Sequence, residues 1–175
     1  MRWKLTYLYK LVGSFVFLFA KLIMAGKYKF IDLFCGIGGF RLAFEKLGAK
    51  CVFSSDIDSF AQQTYMDNFG VRPSGDITNI EASAIPSFDI LTAGFPCQPF
   101  SYAGLCKGFE DQTRGTLFFD VCRLLAYHKP KMFFLENVKG LVSHNGGKTI
   151  KVIIENLQEL GYDVHWKVLS SLDYG

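Results

Sequence analysis

The chain has 175 residues, enough for one domain with a sizeable core, and half of them are hydrophobic with 18 phenylalanines, which excludes a disordered chain. The net charge of +3 is uneven: residues 1–26 carry Arg2, Lys4, Lys10 and Lys21 and no acid, leaving 15 basic and 16 acidic residues in the remainder. That near-neutral body does not recognise a polyanion by bulk charge.

The N-terminal stretch is basic, then apolar from Leu11 to Ala20, then broken by Lys21. It is too short to span a bilayer comfortably. It resembles a secretory signal in charge and apolar length. However, Met24-Ala25-Gly26-Lys27 makes a natural start just before the first strand, so residues 1–23 are expected to be an upstream extension or a loosely attached segment.

Strand and helix signals alternate from Lys27 onward. Lys27 to Phe34 reads as a strand, and Cys35-Gly36-Ile37-Gly38-Gly39 as the turn after it. A helix follows with Phe40, Ala43, Phe44 and Leu47 on one face and Gly48 past its end. Lys50 to Ser55 is the second strand, ending at Asp56. Asp58 is placed to cap a helix carrying Ala61, Tyr65 and Phe69 inward. A short strand is predicted near Arg72–Ser74, before Gly75-Asp76-Ile77. Phe88 to Ala93 is a further strand, leading into Gly94-Phe95-Pro96-Cys97-Gln98-Pro99-Phe100-Ser101. Leu117, Phe118, Val121, Leu124 and Leu125 have helical spacing, and Pro130 blocks continuation. Lys131 to Leu135 reads as a buried strand, Ile150, Ile153, Leu157 and Leu160 as a helix stopping at Gly161, and Tyr162 to Leu169 as a last strand. This alternation predicts an α/β fold with a mostly parallel sheet and helices on both faces.

In such sheets ligands gather beyond the carboxyl ends of the strands. The glycine turn, Asp56, Asp76, Cys97 and Glu136 all fall at predicted strand ends. A glycine turn followed by an acid about 20 residues on suits an adenosine-type ligand, and does not distinguish NAD from S-adenosylmethionine. Two prolines restrict the backbone around Cys97, presenting its thiol outward as suits a nucleophile. The five cysteines form no C-x-x-C pair, and the histidines His128, His144 and His165 have no ligand spacing, so neither a metal site nor a disulfide framework is expected. Reduced thiols point to the cytoplasm.

The chain resembles the catalytic half of a cytosine-C5 DNA methyltransferase of the bacterial restriction–modification type. Asp32-Leu33-Phe34-Cys35-Gly36-Ile37-Gly38-Gly39-Phe40-Arg41 resembles that family's first cofactor motif, and the Cys97 octapeptide its nucleophile motif. Arg114-Gly115-Thr116-Leu117-Phe118 resembles the start of the following helix, and Glu136-Asn137-Val138 the catalytic glutamate motif. The resemblance covers Lys27 to Gly175 and implies a Rossmann-like S-adenosylmethionine-dependent sheet, incomplete at its C-terminus, over residues 27–175. It implies that Cys97, flanked by Pro96, adds to C6 of a cytosine flipped out of the duplex. Glu136 is implied to contact N3 and the exocyclic amine, and Asn137 to hold the Pro96–Cys97 segment. Gln98, Ser101 and Arg114 are implied to belong to the DNA-side loop, with Ser101 to Gln112 as a mobile lid. Phe34, Gly36, Gly38, Asp56, Ile57, Asp76, Ile77 and Leu117 are implied to hold the cofactor. Asp56 and Ile57 depart from the Glu and the aromatic residue common at those positions in relatives.

The family's arginine-rich strand motif, target-recognition region and last cofactor motif do not follow Tyr174-Gly175. A fragment, a truncated product or one subunit of a split enzyme is therefore expected, with double-stranded DNA as substrate and a second polypeptide as partner. No metal and no stable membrane association are expected. A remnant that binds cofactor or partner without chemistry, and a tRNA cytosine-C5 methyltransferase, are the alternatives.

Overall fold

The computed structural model describes residues 27–96, 117–170 and 172. Four parallel strands form one sheet: β1 (Lys29–Leu33), β2 (Lys50–Ser55), β3 (Ile90–Ala93) and β4 (Met132–Leu135). Their order across the sheet is β2-β1-β3-β4. Four α-helices accompany them: α1 (Gly39–Lys46), α2 (Ser59–Phe69), α3 (Leu117–His128) and α4 (Lys148–Glu159). β1 and β3 are near-continuous apolar runs because both of their faces are covered, as parallel strands require.

Ile31, Leu33, Leu91 and Ala93 pack against Phe118, Val121, Leu124 and Leu125 of α3 and Ile153 and Leu157 of α4. Phe30 and Ile90 pack on the opposite face with Phe44 of α1 and Met132 of β4. The helix boundaries follow local chemistry. Asp58 Oδ1 accepts the backbone N–H groups of Phe60 and Ala61 at 2.8 and 2.9 Å and caps α2. Gly48, Gly70 and Gly161 stop α1, α2 and α4 with positive φ.

Several sequence expectations are corrected. Arg72–Ser74 is not a strand but one parallel bridge between Ser55 and Ser74. Pro73 has no N–H for a ladder. Tyr162 to Leu169 has no strand structure. Its alternating pattern is that of a strand, yet Trp166, Val168 and Leu169 are exposed, and the segment makes no ladder with the free edge of β4. β4 is half-buried rather than buried, with Phe134 54% exposed. Ala43 is exposed, so α1 meets the sheet mainly through Phe40 and Phe44, whose rings lie 5.7 and 6.3 Å from that of Phe134.

β2 lies on one side of β1 and β3 on the other, so the strand order reverses between β1 and β3. The carboxyl ends of these two strands therefore flank a topological switch point, where open α/β sheets place their ligands.

Candidate active site at the switch point

The turn after β1 is fixed by backbone bonds and one carboxylate. Cys35 N–H donates to Ser55 O at 3.1 Å and Gly38 N–H to Cys35 O at 2.8 Å. Gly36 N–H donates to Asp56 Oδ2 at 2.7 Å, and Asp58 N–H to Asp56 Oδ1 at 2.9 Å. Each Asp56 oxygen thus holds one backbone proton and keeps a second lone pair for a further donor. The carboxylate is oriented by the fold before any ligand arrives. Phe34 has φ 52°, a left-handed conformation that a bulky residue adopts only at a cost of order 1–3 kcal/mol. That turn directs the chain from β1 into the glycine segment.

Ile57, beside Asp56, is 73% exposed. Asp76 Oδ1 accepts Thr78 N–H at 2.9 Å, capping a short 3-10 turn, Ile77–Asn79. Ile77 is 2% exposed and packs within the main core, so its side chain serves the interior and is not offered to a ligand. Leu117 is half-buried at the start of α3.

The β3 and β4 ends approach one another closely. Glu136 N–H donates to Ala93 O at 2.9 Å, extending the ladder past β4. A Cβ on Gly94 would stand 3.4 Å from Glu136 Oε2 and 4.0 Å from Phe34 O, in ordinary contact with both, so the Glu136 carboxylate lies against the β3 end. Asn137 Nδ2 donates to Phe95 O at 2.7 Å and Asn137 Oδ1 accepts Val138 N–H at 2.9 Å. Glu136 is exposed and Asn137 half-buried. Pro96, exposed, is the last described residue of this strand end. Cys97, Gln98, Ser101 and Arg114, with the expected lid, lie outside the described residues. The glycine turn, Asp56, Gly94 to Pro96, Glu136 and Asn137 are thus gathered on one rim.

One residue of this region had no assigned task in the sequence reading. Asp32 is fully buried in β1, accepts Thr92 Oγ1 at 3.0 Å and leaves Oδ2 without a partner. Burial pushes its carboxyl up to about 7, against the pull of the Thr92 bond and the Arg41 charge. The signal for it was an acid inside an otherwise apolar strand. Cys35 and Cys51 have thiols pushed up by burial, and Cys122 is fully buried, so none of the described cysteines is a ready thiolate. Among the described residues no group of three or more His, Cys, Asp or Glu side chains is set to hold a metal ion. No described helix is long and apolar enough to cross a membrane.

The architecture is that of known methyltransferases. The S. pombe Dnmt2 methyltransferase superposes with a TM-score of 0.56 at 25% identity, over 74% of this chain and 42% of that one. The Type II methyltransferase M.MspI of Moraxella sp is 57% identical over 148 residues, which are 85% of this chain and 35% of the relative. M.HpaII of Haemophilus parainfluenzae is 62% identical over 141 residues, 79% of this chain and 39% of the relative. The chain therefore spans less than half the length of these curated relatives. The sequence model of the C-5 cytosine-specific DNA methylases matches residues 28–175, and the chain belongs to that family.

Proposed function

We propose that this chain is the cofactor-binding and base-activating half of a DNA (cytosine-5-)-methyltransferase, transferring methyl from S-adenosylmethionine to C5 of cytosine. The observation that supports it most is the Glu136–Asn137 pair turned onto the β3 end, one bonded to Phe95 O at 2.7 Å, just before Pro96 and Cys97. The near-neutral body leaves base reading to a second polypeptide, with double-stranded DNA as the substrate and the cytoplasm as the compartment.

The residues present fit the cofactor. Asp56 keeps one free lone pair on each oxygen, the acceptor pair that a ribose diol needs. Phe34, Gly36 and Gly38 line the methionine and ribose side, with Ile57, Asp76, the Ile77 backbone and Leu117 around the adenine. When bound, S-adenosylmethionine supplies an electrophilic methyl group on a sulfonium. The Cys97 thiolate adds to C6 of the flipped cytosine, which makes C5 enamine-like. Glu136 meets N3 and the exocyclic amine and stabilises the charge that develops on the ring. Asn137 keeps the Phe95 carbonyl, and with it the path into Cys97, in place. After C5 has gained the methyl group, leaving S-adenosylhomocysteine, its proton passes to solvent water, the C5–H electron pair re-forms the C5–C6 double bond, and the C6–S bond breaks to return the thiolate.

The test is tritiated methyl transfer to DNA and to tRNA in parallel, by the 175-residue chain alone and with a polypeptide supplying the remaining length of its relatives. DNA is labelled only in the complemented sample, Glu136→Gln reduces the rate about 100-fold or more, and Cys97→Ala reduces it to background. Labelled DNA from Cys97→Ala overturns the mechanism, and label on tRNA alone replaces the substrate.

A further inference from the structure

Helix α2 touches both halves of this nucleotide site. In its first turns, Gln62 Nε2 donates to Asp56 O at 2.7 Å, and Gln62 Oε1 accepts Arg72 Nε at 3.2 Å. In its last turn, Asn68 Nδ2 donates to Ile37 O at 3.2 Å. Next to it, the Phe69 ring fills the space below Gly38: a Cβ there would fall 2.1 Å from Phe69 Cε2 and 2.7 Å from Cζ. The ring has little room to yield. The Arg41 guanidinium lies 4.6 Å from its centroid, and the Tyr65 ring 4.7 Å from it. Tyr65 is fully buried. Gly38, with φ 95°, is the residue that opens α1.

We infer that Phe69 and Asn68 are positioning residues for the glycine turn, and that α2 sets the spacing between the Gly36 and Gly38 amides and the Asp56 carboxylate. Phe69 acts by occupying the place of a side chain at Gly38, and Asn68 by holding the Ile37 carbonyl. Gln62 ties the Asp56 backbone carbonyl to the same helix. The ligand belongs to the function proposed above, but the steric coupling between Phe69 and Gly38 is a property of the chain itself.

The test is a double-mutant cycle on the full chain with Phe69→Ala, Gly38→Ala and both together. Two quantities are read: S-adenosylmethionine affinity by calorimetry, and hydrogen exchange of the Gly36 and Gly38 amides without ligand. Phe69→Ala is expected to weaken binding about tenfold and speed exchange at both amides about tenfold, with Phe69→Leu recovering most of each. Gly38→Ala is expected to weaken binding at least tenfold. The double variant is expected to lose less than the product of the two, because the ring that meets the new Cβ is gone while the cost of a side chain at φ 95° remains. Val121→Ala, a core truncation in α3, serves as the control for general loosening. Multiplicative losses in the cycle overturn the inference. So does equal exchange at Gly36 and Gly38 in Val121→Ala and Phe69→Ala variants matched in thermal midpoint. Failure of the unaltered chain to bind S-adenosylmethionine even when complemented with the remaining length of its relatives overturns the functional reading instead, and the exchange arm still decides the positioning.

Discussion

Asp32 places an ionisable group where the sheet is driest. Its carboxyl, pushed up to about 7 from 3.8 by burial, binds a proton more readily in the folded chain than in the unfolded one. Between those two values the native state holds more protons, so stability falls as pH rises through that window and the contribution is lost above about 7. A shift of roughly three units corresponds to something on the order of 4 kcal/mol at about 1.4 kcal/mol each. Asn at this position still accepts from Thr92 Oγ1 and does not titrate. Asp32→Asn is therefore expected to remove most of the fall in thermal midpoint between pH 5 and pH 8, roughly 10 °C for a domain of this size. Melting curves of the two proteins across that range check it, and parallel slopes would refute the assignment.

At the scale of single elements, α2 shows which signals are local. The Asp58 carboxylate satisfies two N–H groups that no helix can satisfy internally. Asp58→Ala is expected to cost about 1 kcal/mol and lower the midpoint by roughly 3 °C, with Asp58→Asn recovering most of it. Scanning calorimetry reads both; a midpoint unchanged in Asp58→Ala contradicts the cap. This cap was legible because it depends on residues two and three positions away. The stops at Gly48 and Gly161 were legible for the same reason. The failures share the opposite cause. Tyr162 to Leu169 alternates as a strand does, but a ladder needs a partner that alternation cannot supply. Arg72–Ser74 lost its ladder to Pro73 and kept a single bridge. At the site, the strand ends were legible because strand–helix alternation alone puts them on one rim. The Phe69–Gly38 contact was not, since it joins residues 31 apart through a ring packed under a turn. Nor was the burial of Asp32, which depends on Thr92 in a neighbouring strand.

At the scale of the whole molecule, the two flanks of the sheet formed by the described residues differ. The β2 side is extended by the Ser74 bridge, whereas β4 has no described strand beyond it. Phe134 projects from β4 half-exposed beside Phe40 and Phe44, and Trp166, Leu169 and Leu172 are exposed. An unpaired edge next to apolar surface is a template for association between chains. Lys131 sits at the start of this edge and is already paired with Asp89 at 2.7 Å, so its charge is partly spent in holding β4 to β3 rather than in repelling a neighbour. The 175-residue chain is therefore expected to self-associate as its concentration rises, in sedimentation velocity at micromolar loading. Phe134→Lys adds an unpaired charge to the exposed face and is expected to weaken that association several-fold. A monomer at every concentration, or association untouched by Phe134→Lys, would show that this flank is not the sticky one.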